Sequence, residues 1–285
     1  KRKILKNKLK NEIISNFNKK NNVLVSSPAS GSTFIRSCLY SYFEIYLKIG
    51  NGIPKYDNIN NLWLFTASPF IQGGDLYNFV NLDLPSSNPS KKRLFWSDEF
   101  FEKNKIFFTR YPFGLLDLLE QSKIRPVILF REPKDWMVSY YISQMNEYKN
   151  NNLSNEINEF LIKHSLKRIK SYYDHWNNYS IKYNECLFIE FNSLNKNPNE
   201  VFKKICLYFE LDISDNDILN KCVEYNSKDF LFKSLGATFH GTRFTKEGQK
   251  EKIGSKIEPY IEKAIKDLKV DESYLNLFKK RNEIL

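Results

Sequence analysis

The chain has 285 residues, 41% of them hydrophobic and 15% aromatic, with 23 Phe and 17 Tyr. That composition excludes a disordered tail, a collagen-like repeat and a disulfide-stapled miniprotein, and the length suits one large α/β unit with a real core. The formal net charge is +11, yet eight basic side chains against Glu12 alone place +7 of it in residues 1–20, leaving +4 on the other 265, so a nucleic-acid partner is not expected.

In chain order, Ile4, Leu5, Leu9, Ile13 and Phe17 fall at helical spacing, which predicts a basic amphipathic helix over 1–20 packed on the body. Residues 21–285 read as a single domain. Short strand-like runs follow at 23–27, 105–109, 126–131 and 186–191, separated by amphipathic stretches that predict helices at about 33–49, 134–149, 156–182, 198–210, 214–226 and 257–269. Residues 50–100 are rich in Asn, Pro and Gly and read as loops with short elements. Apolar runs alternating with helices imply three α/β/α layers around a parallel sheet. Ligands of such sheets bind beyond the carboxyl ends of the strands, so the strand-to-helix loops are the place to look.

Cys38, Cys186, Cys206 and Cys222 sit singly in apolar patterns, with no metal-site or redox spacing. Buried thiols fit a reducing compartment, so a cytoplasmic location is expected; a chain opening on Lys1 leaves an upstream leader or anchor open. No apolar run approaches the roughly 18 residues of a membrane span. His164 and His175 lie on one predicted helix about 16 Å apart along its axis, too far to share a metal. No metal is expected.

The first strand runs into Ser27-Pro28-Ala29-Ser30-Gly31-Ser32-Thr33-Phe34 and then a helix. Gly31 permits close backbone approach, and N–H groups at a helix start form an anion cradle that the hydroxyls of Ser30, Ser32 and Thr33 can extend. A phosphate suits it, and so does a plain helix cap. No Lys follows Gly31 and no earlier Gly sets the spacing of a nucleotide-kinase loop, which disfavours ATP and GTP.

The third strand run ends in Arg131-Glu132-Pro133-Lys134-Asp135-Trp136, with Ser139 eight residues after the Arg. Here the sequence resembles the sulfotransferases that use 3′-phosphoadenosine 5′-phosphosulfate (PAPS), whose strand-ending Arg and later Ser bind the nucleotide's 3′-phosphate. The resemblance implies those roles for Arg131 and Ser139, and a fork of guanidinium donors facing a phosphate dianion is physically apt. It extends over about residues 23–260. Residues 28–34 resemble the family's 5′-phosphosulfate loop, with Ser30, Gly31, Ser32, Thr33 and Phe34 at matching positions. Ser68 to Gln72 resemble an acceptor-pocket segment, and Thr109-Arg110-Tyr111-Pro112 a strand end that carries a base. Phe191 stands where an aromatic residue contacts adenine, and Arg243, Lys246 and Gly248 are a loose analogue of a C-terminal phosphate loop.

Two positions depart from the family at the chemistry. The loop cation that steadies the departing phosphate oxygen is Ala29 here, and the His base is Arg110. Sulfonyl transfer needs positive charge where the leaving group develops negative charge, and a base for the acceptor. Arg110 is expected to supply the charge; its pKa above about 12 bars it from being the base. A carboxylate then has to activate the acceptor: Asp75 is favoured over Glu44, Asp98 and Glu99, with His240 as a further titratable option.

The expectation is a sulfotransferase moving the sulfonyl group of PAPS to a hydroxyl or amine of a small-molecule or saccharide acceptor, releasing 3′,5′-ADP. The alternatives are a catalytically silent PAPS or 3′,5′-ADP binder, motivated by Ala29 and Arg110, then a nucleotide kinase of the same broad fold, then a heparin-type binding module driven by residues 1–20.

Overall fold

Strand β1 (Asn21–Ser26) is the middle of a five-stranded parallel sheet with β2 (Phe70–Gln72), β3 (Ile106–Thr109), β4 (Ile124–Phe130) and β5 (Leu187–Glu190), in the order β2-β3-β1-β4-β5. The structure is a computed structural model and describes residues 21–46, 48, 51–53, 70–72, 106–109, 124–149, 158–183, 185–227, 229–230, 233 and 249–283. In register, Leu24 stands beside Phe108 and Val127, and Ile128 beside Phe188. A parallel sheet covered on both faces buries alternate residues in opposite layers, which is why its strands read as continuous apolar runs. Val23, Val25, Ile124, Ile128 and Phe130 enter one core, while Leu24, Ile106, Val127 and Leu129 enter the other.

Pro126 lies in β4 opposite Val23 of β1, one residue before pairing with β5 begins at Val127–Leu187, so its missing N–H falls where the ladder has a neighbour on one side only. At the start of β1, Asn22 is polar in a buried strand because its side-chain amide donates to the Phe209 carbonyl at 3.0 Å.

The first layer holds α1 (Ser32–Tyr46), α4 (Phe191–Lys196), α5 (Pro198–Tyr208) and α6 (Asn216–Tyr225). The second holds α2 (Pro133–Lys149), α3 (Glu159–Tyr183), α7 (Gln249–Leu268) and α8 (Val270–Glu283). Helix α3 turns Ile162, Leu166, Ile169, Tyr173 and Trp176 into the core at three- and four-residue spacing, as its sequence pattern predicts.

Three sequence expectations change. Phe191 is the first residue of α4 rather than the last of a strand, because the Glu190 carboxylate caps that helix by accepting from Ser193 N at 3.1 Å. Helix α7 starts at Gln249, eight residues before the expected 257, and runs through Pro259. Helix α8 was not expected at all: it is mostly polar, and the break before it falls at Lys269 with φ +54°, a left-handed position without the glycine that usually marks one. The basic helix expected over 1–20 lies outside the described residues.

No helix among the described residues is long and apolar enough to cross a membrane. All four cysteines are buried and free. Burial raises the Cys38, Cys206 and Cys222 thiols well above their usual range and pushes Cys186 up to about 12. The reactive thiolate is therefore scarce at pH 8. A thiol titration with a colorimetric disulfide reagent at that pH is expected to find none of the four in the native protein and all four in denaturant.

Candidate functional site

Because β1 and β4 are parallel neighbours, with Ser26 beside Leu129, the segments leaving them emerge together at one edge of the sheet. The first is the turn 27–31. Ala29 takes φ +58° and Gly31 φ +86°, two left-handed residues within three positions. A Cβ on Gly31 would lie 2.6 Å from Leu194 Cδ2 and 3.2 Å from Phe191 Cδ2, so glycine is required both by dihedral and by the close seat of α4 on the turn. The Ser30 hydroxyl is hydrogen-bonded to that of Ser27, and both residues are buried; Ser30 thus spends its hydroxyl inside the turn. Ser32 is buried at the start of α1, and Phe34, half-buried, packs on the core beneath. Thr33 lies in the first turn of α1.

The second segment begins at Arg131, directly after β4. Arg131 is 5% exposed, and its guanidinium is fixed from three sides. Nη1 donates to the Ala29 carbonyl at 3.0 Å, Nη2 lies 3.8 Å from the Asp135 carboxylate, and Cζ sits 4.1 Å above the Phe191 ring. The Arg131 carbonyl accepts from the Tyr173 hydroxyl. Burial draws the Arg131 pKa down while Asp135 and Glu132 push it back, and a guanidinium remains cationic at neutral pH. Its Nε is buried without a hydrogen-bond partner.

Glu132 closes the first turn of α2, accepting from Lys134 N at 2.9 Å and Asp135 N at 2.7 Å. The Lys134 ammonium is taken by Glu258 and by Glu262 at 3.0 Å, both on α7. Ser139 lies half-buried on α2, two turns beyond Arg131. Trp136, fully buried, donates its indole Nε1–H to the Pro28 carbonyl at 2.6 Å and stacks on Tyr140.

Arg131, Phe191 and the turn carrying Gly31 are thus brought together by three different strand ends. Arg110 directly follows β3, whose Thr109 pairs with Val25. Arg110, Asp75, Arg243, Lys246 and Gly248 lie outside the described residues, as do Asp98, Glu99 and His240. Glu44 is buried on α1. The bond from Trp136 to Pro28 was not among the sequence expectations; the available signal was an indole N–H in a core position, which needs an acceptor. Among the described residues no group of three or more His, Cys, Asp or Glu side chains is placed to hold a metal ion.

Residues 19–274 match the family of the sulfotransferase domain. The chain belongs to the sulfotransferase family. The fold of this sulfotransferase resembles the crystal structure of retinol dehydratase in a complex with retinol and PAP, with a TM-score of 0.50 and 17% identity over 87% of this chain and 82% of that one. The mouse sulfotransferase SULT7A1 complexed with PAP gives a TM-score of 0.49 and 14% identity over 86% and 84% of the two chains. No curated protein sequence matches this sulfotransferase.

Proposed function

We propose that this sulfotransferase uses PAPS and transfers its sulfonyl group to a hydroxyl or amine of a small-molecule or saccharide acceptor, releasing 3′,5′-ADP. The observation that carries this reading is the buried Arg131 guanidinium, cationic, with an unpartnered Nε, set between the turn at Ala29 and the face of Phe191. The sulfotransferase family and the PAP in the retinol dehydratase structure support the same nucleotide.

In this reading Arg131 and Ser139 hold the 3′-phosphate and Phe191 contacts the adenine. The turn with Ser30, Gly31, Ser32, Thr33 and Phe34 takes the 5′-phosphosulfate, and Arg243, Lys246 and Gly248 close over the phosphates. PAPS supplies the activated sulfonyl group; the acceptor oxygen or nitrogen bonds to sulfur as the sulfur–oxygen bond to the 5′-phosphate breaks, and the acceptor's proton leaves to a base. Asp75 is proposed as that base, and Arg110 as the cation beside the departing phosphate oxygen.

A second reading, a silent 3′,5′-ADP binder, is favoured by one specific observation. The turn carries Ala29 where a cation would serve the leaving group, and Lys134 of α2 is committed to Glu258 and Glu262. Two measurements separate them. Calorimetric titration is expected to show 3′,5′-ADP binding at least about 100-fold more tightly than 5′-AMP, the worth of two charge-assisted hydrogen bonds. Sulfonyl transfer from labelled PAPS to a panel of phenols, alcohols, amines and saccharides then decides: a labelled product establishes the enzyme, the same preference without product establishes the silent binder, and equal affinity for both nucleotides removes both.

A further inference from the structure

We propose that Trp136 is a positioning residue for the 5′-phosphosulfate turn: its indole N–H, together with Arg131, sets the direction of the turn's amide donors. The inference rests on the reading of residues 28–34 as the site of the nucleotide's 5′ end.

Two consecutive carbonyls of the turn are tied to the segment that follows β4. Pro28 O accepts from Trp136 Nε1 at 2.6 Å, and Ala29 O accepts from Arg131 Nη1 at 3.0 Å. A trans peptide is planar, with its C=O and the following N–H on opposite sides, so anchoring one fixes the other. The N–H groups of Ala29 and Ser30 are thereby aimed away from Trp136 and Arg131. Left-handed dihedrals at Ala29 and Gly31 belong to the class of turns that gather successive N–H groups into an anion-binding concavity.

Orientation matters more here than it would with a charged turn. Ala29 offers no cation, so the backbone donors carry a larger share of the turn's grip on a phosphate. Trp136 is well built to hold them. It is fully buried, stacks on Tyr140 with ring centroids 5.0 Å apart, and reaches across 108 residues of sequence to its acceptor. A phenylalanine at 136 keeps the ring and loses the donor, leaving the Pro28 carbonyl only the long 3.5 Å bond from the Ser30 hydroxyl.

The same molecule provides the matched control. Trp176 is equally buried, and its Nε1 has no hydrogen-bond partner, so Trp176→Phe loses no such anchor. The experiment is calorimetric titration of the full chain with 3′,5′-ADP and with adenosine 3′-monophosphate, which lacks the 5′-phosphate. Trp136→Phe is expected to weaken 3′,5′-ADP about tenfold and to leave adenosine 3′-monophosphate within about twofold of wild type, while Trp176→Phe changes neither. Equal weakening of both nucleotides by Trp136→Phe, or of neither, overturns the proposal. Wild-type protein that binds neither nucleotide defeats instead the underlying PAPS reading. Should Trp136→Phe not fold, nuclear magnetic resonance of the 15N-labelled wild type supplies the test. The Trp136 indole N–H signal is expected to shift with 3′,5′-ADP and not with adenosine 3′-monophosphate, and identical responses to the two overturn the proposal.

Discussion

Arg131→Ala is expected to abolish the preference for 3′,5′-ADP over 5′-AMP, weakening the first by about 100- to 20,000-fold more than the second, which itself loses about tenfold because the Ala29 carbonyl loses its anchor. The magnitude follows from charge-assisted hydrogen bonds at about 1.5–3 kcal/mol each, two of them lost, with about 1.4 kcal/mol per factor of ten. The guanidinium is already held by the Ala29 carbonyl, Asp135 and the Phe191 ring, so little rotamer freedom remains to be lost on binding. Arg131→Lys keeps a charge but not the planar fork, and should recover only part of the preference. Calorimetry on both variants, with circular dichroism to verify the fold, checks this. A retained preference in Arg131→Ala would move the 3′-phosphate elsewhere and break the link between Arg131 and function.

The second large effect is on stability. Gly31→Ala places a methyl group 2.6 Å from Leu194 Cδ2 in a residue at φ +86°. The left-handed backbone costs about 1 kcal/mol and overpacking about 1–3 kcal/mol more. At roughly 2–4 °C per kcal/mol for a chain of this size, thermal unfolding should occur about 5–15 °C lower. Gly254→Ala is the counter-experiment. That glycine lies inside α7, its added Cβ would meet Val138 Cγ1 at an ordinary 3.5 Å, and a helical Gly→Ala change gains about 0.5–1 kcal/mol. Melting temperatures should therefore move in opposite directions. A Gly31→Ala protein as stable as wild type would mean that α4 yields, and that the turn is not pinned between β1 and Phe191.

Both effects come from residues visible as chemistry in the sequence, but their causes differ. Arg131 and Gly31 announce themselves through local pattern: a strand end followed by a helix start needs no partner to be recognised. The contacts that give them consequence come from elsewhere in the chain. Phe191 and Leu194 reach the turn only because Glu190 caps α4 there, and Trp136 meets Pro28 only because β1 and β4 are neighbours. Likewise the hydroxyl of Ser30, a promising ligand by type, turns out to be bonded to Ser27 within a buried turn.

What the sequence determined by itself were properties of short range: four of the five strands, most helices, the parallel α/β class and the family, because apolar period and strand-to-helix turns are written in adjacent residues. The three-residue β2, the polar α8 and the early start of α7 were decided by tertiary structure, since a short edge strand and a mostly hydrophilic helix gain their stability from neighbours rather than from their own pattern. The same holds at the site. Residue types are local, whereas the direction in which an indole or a guanidinium donates is fixed by packing between strands more than a hundred residues apart.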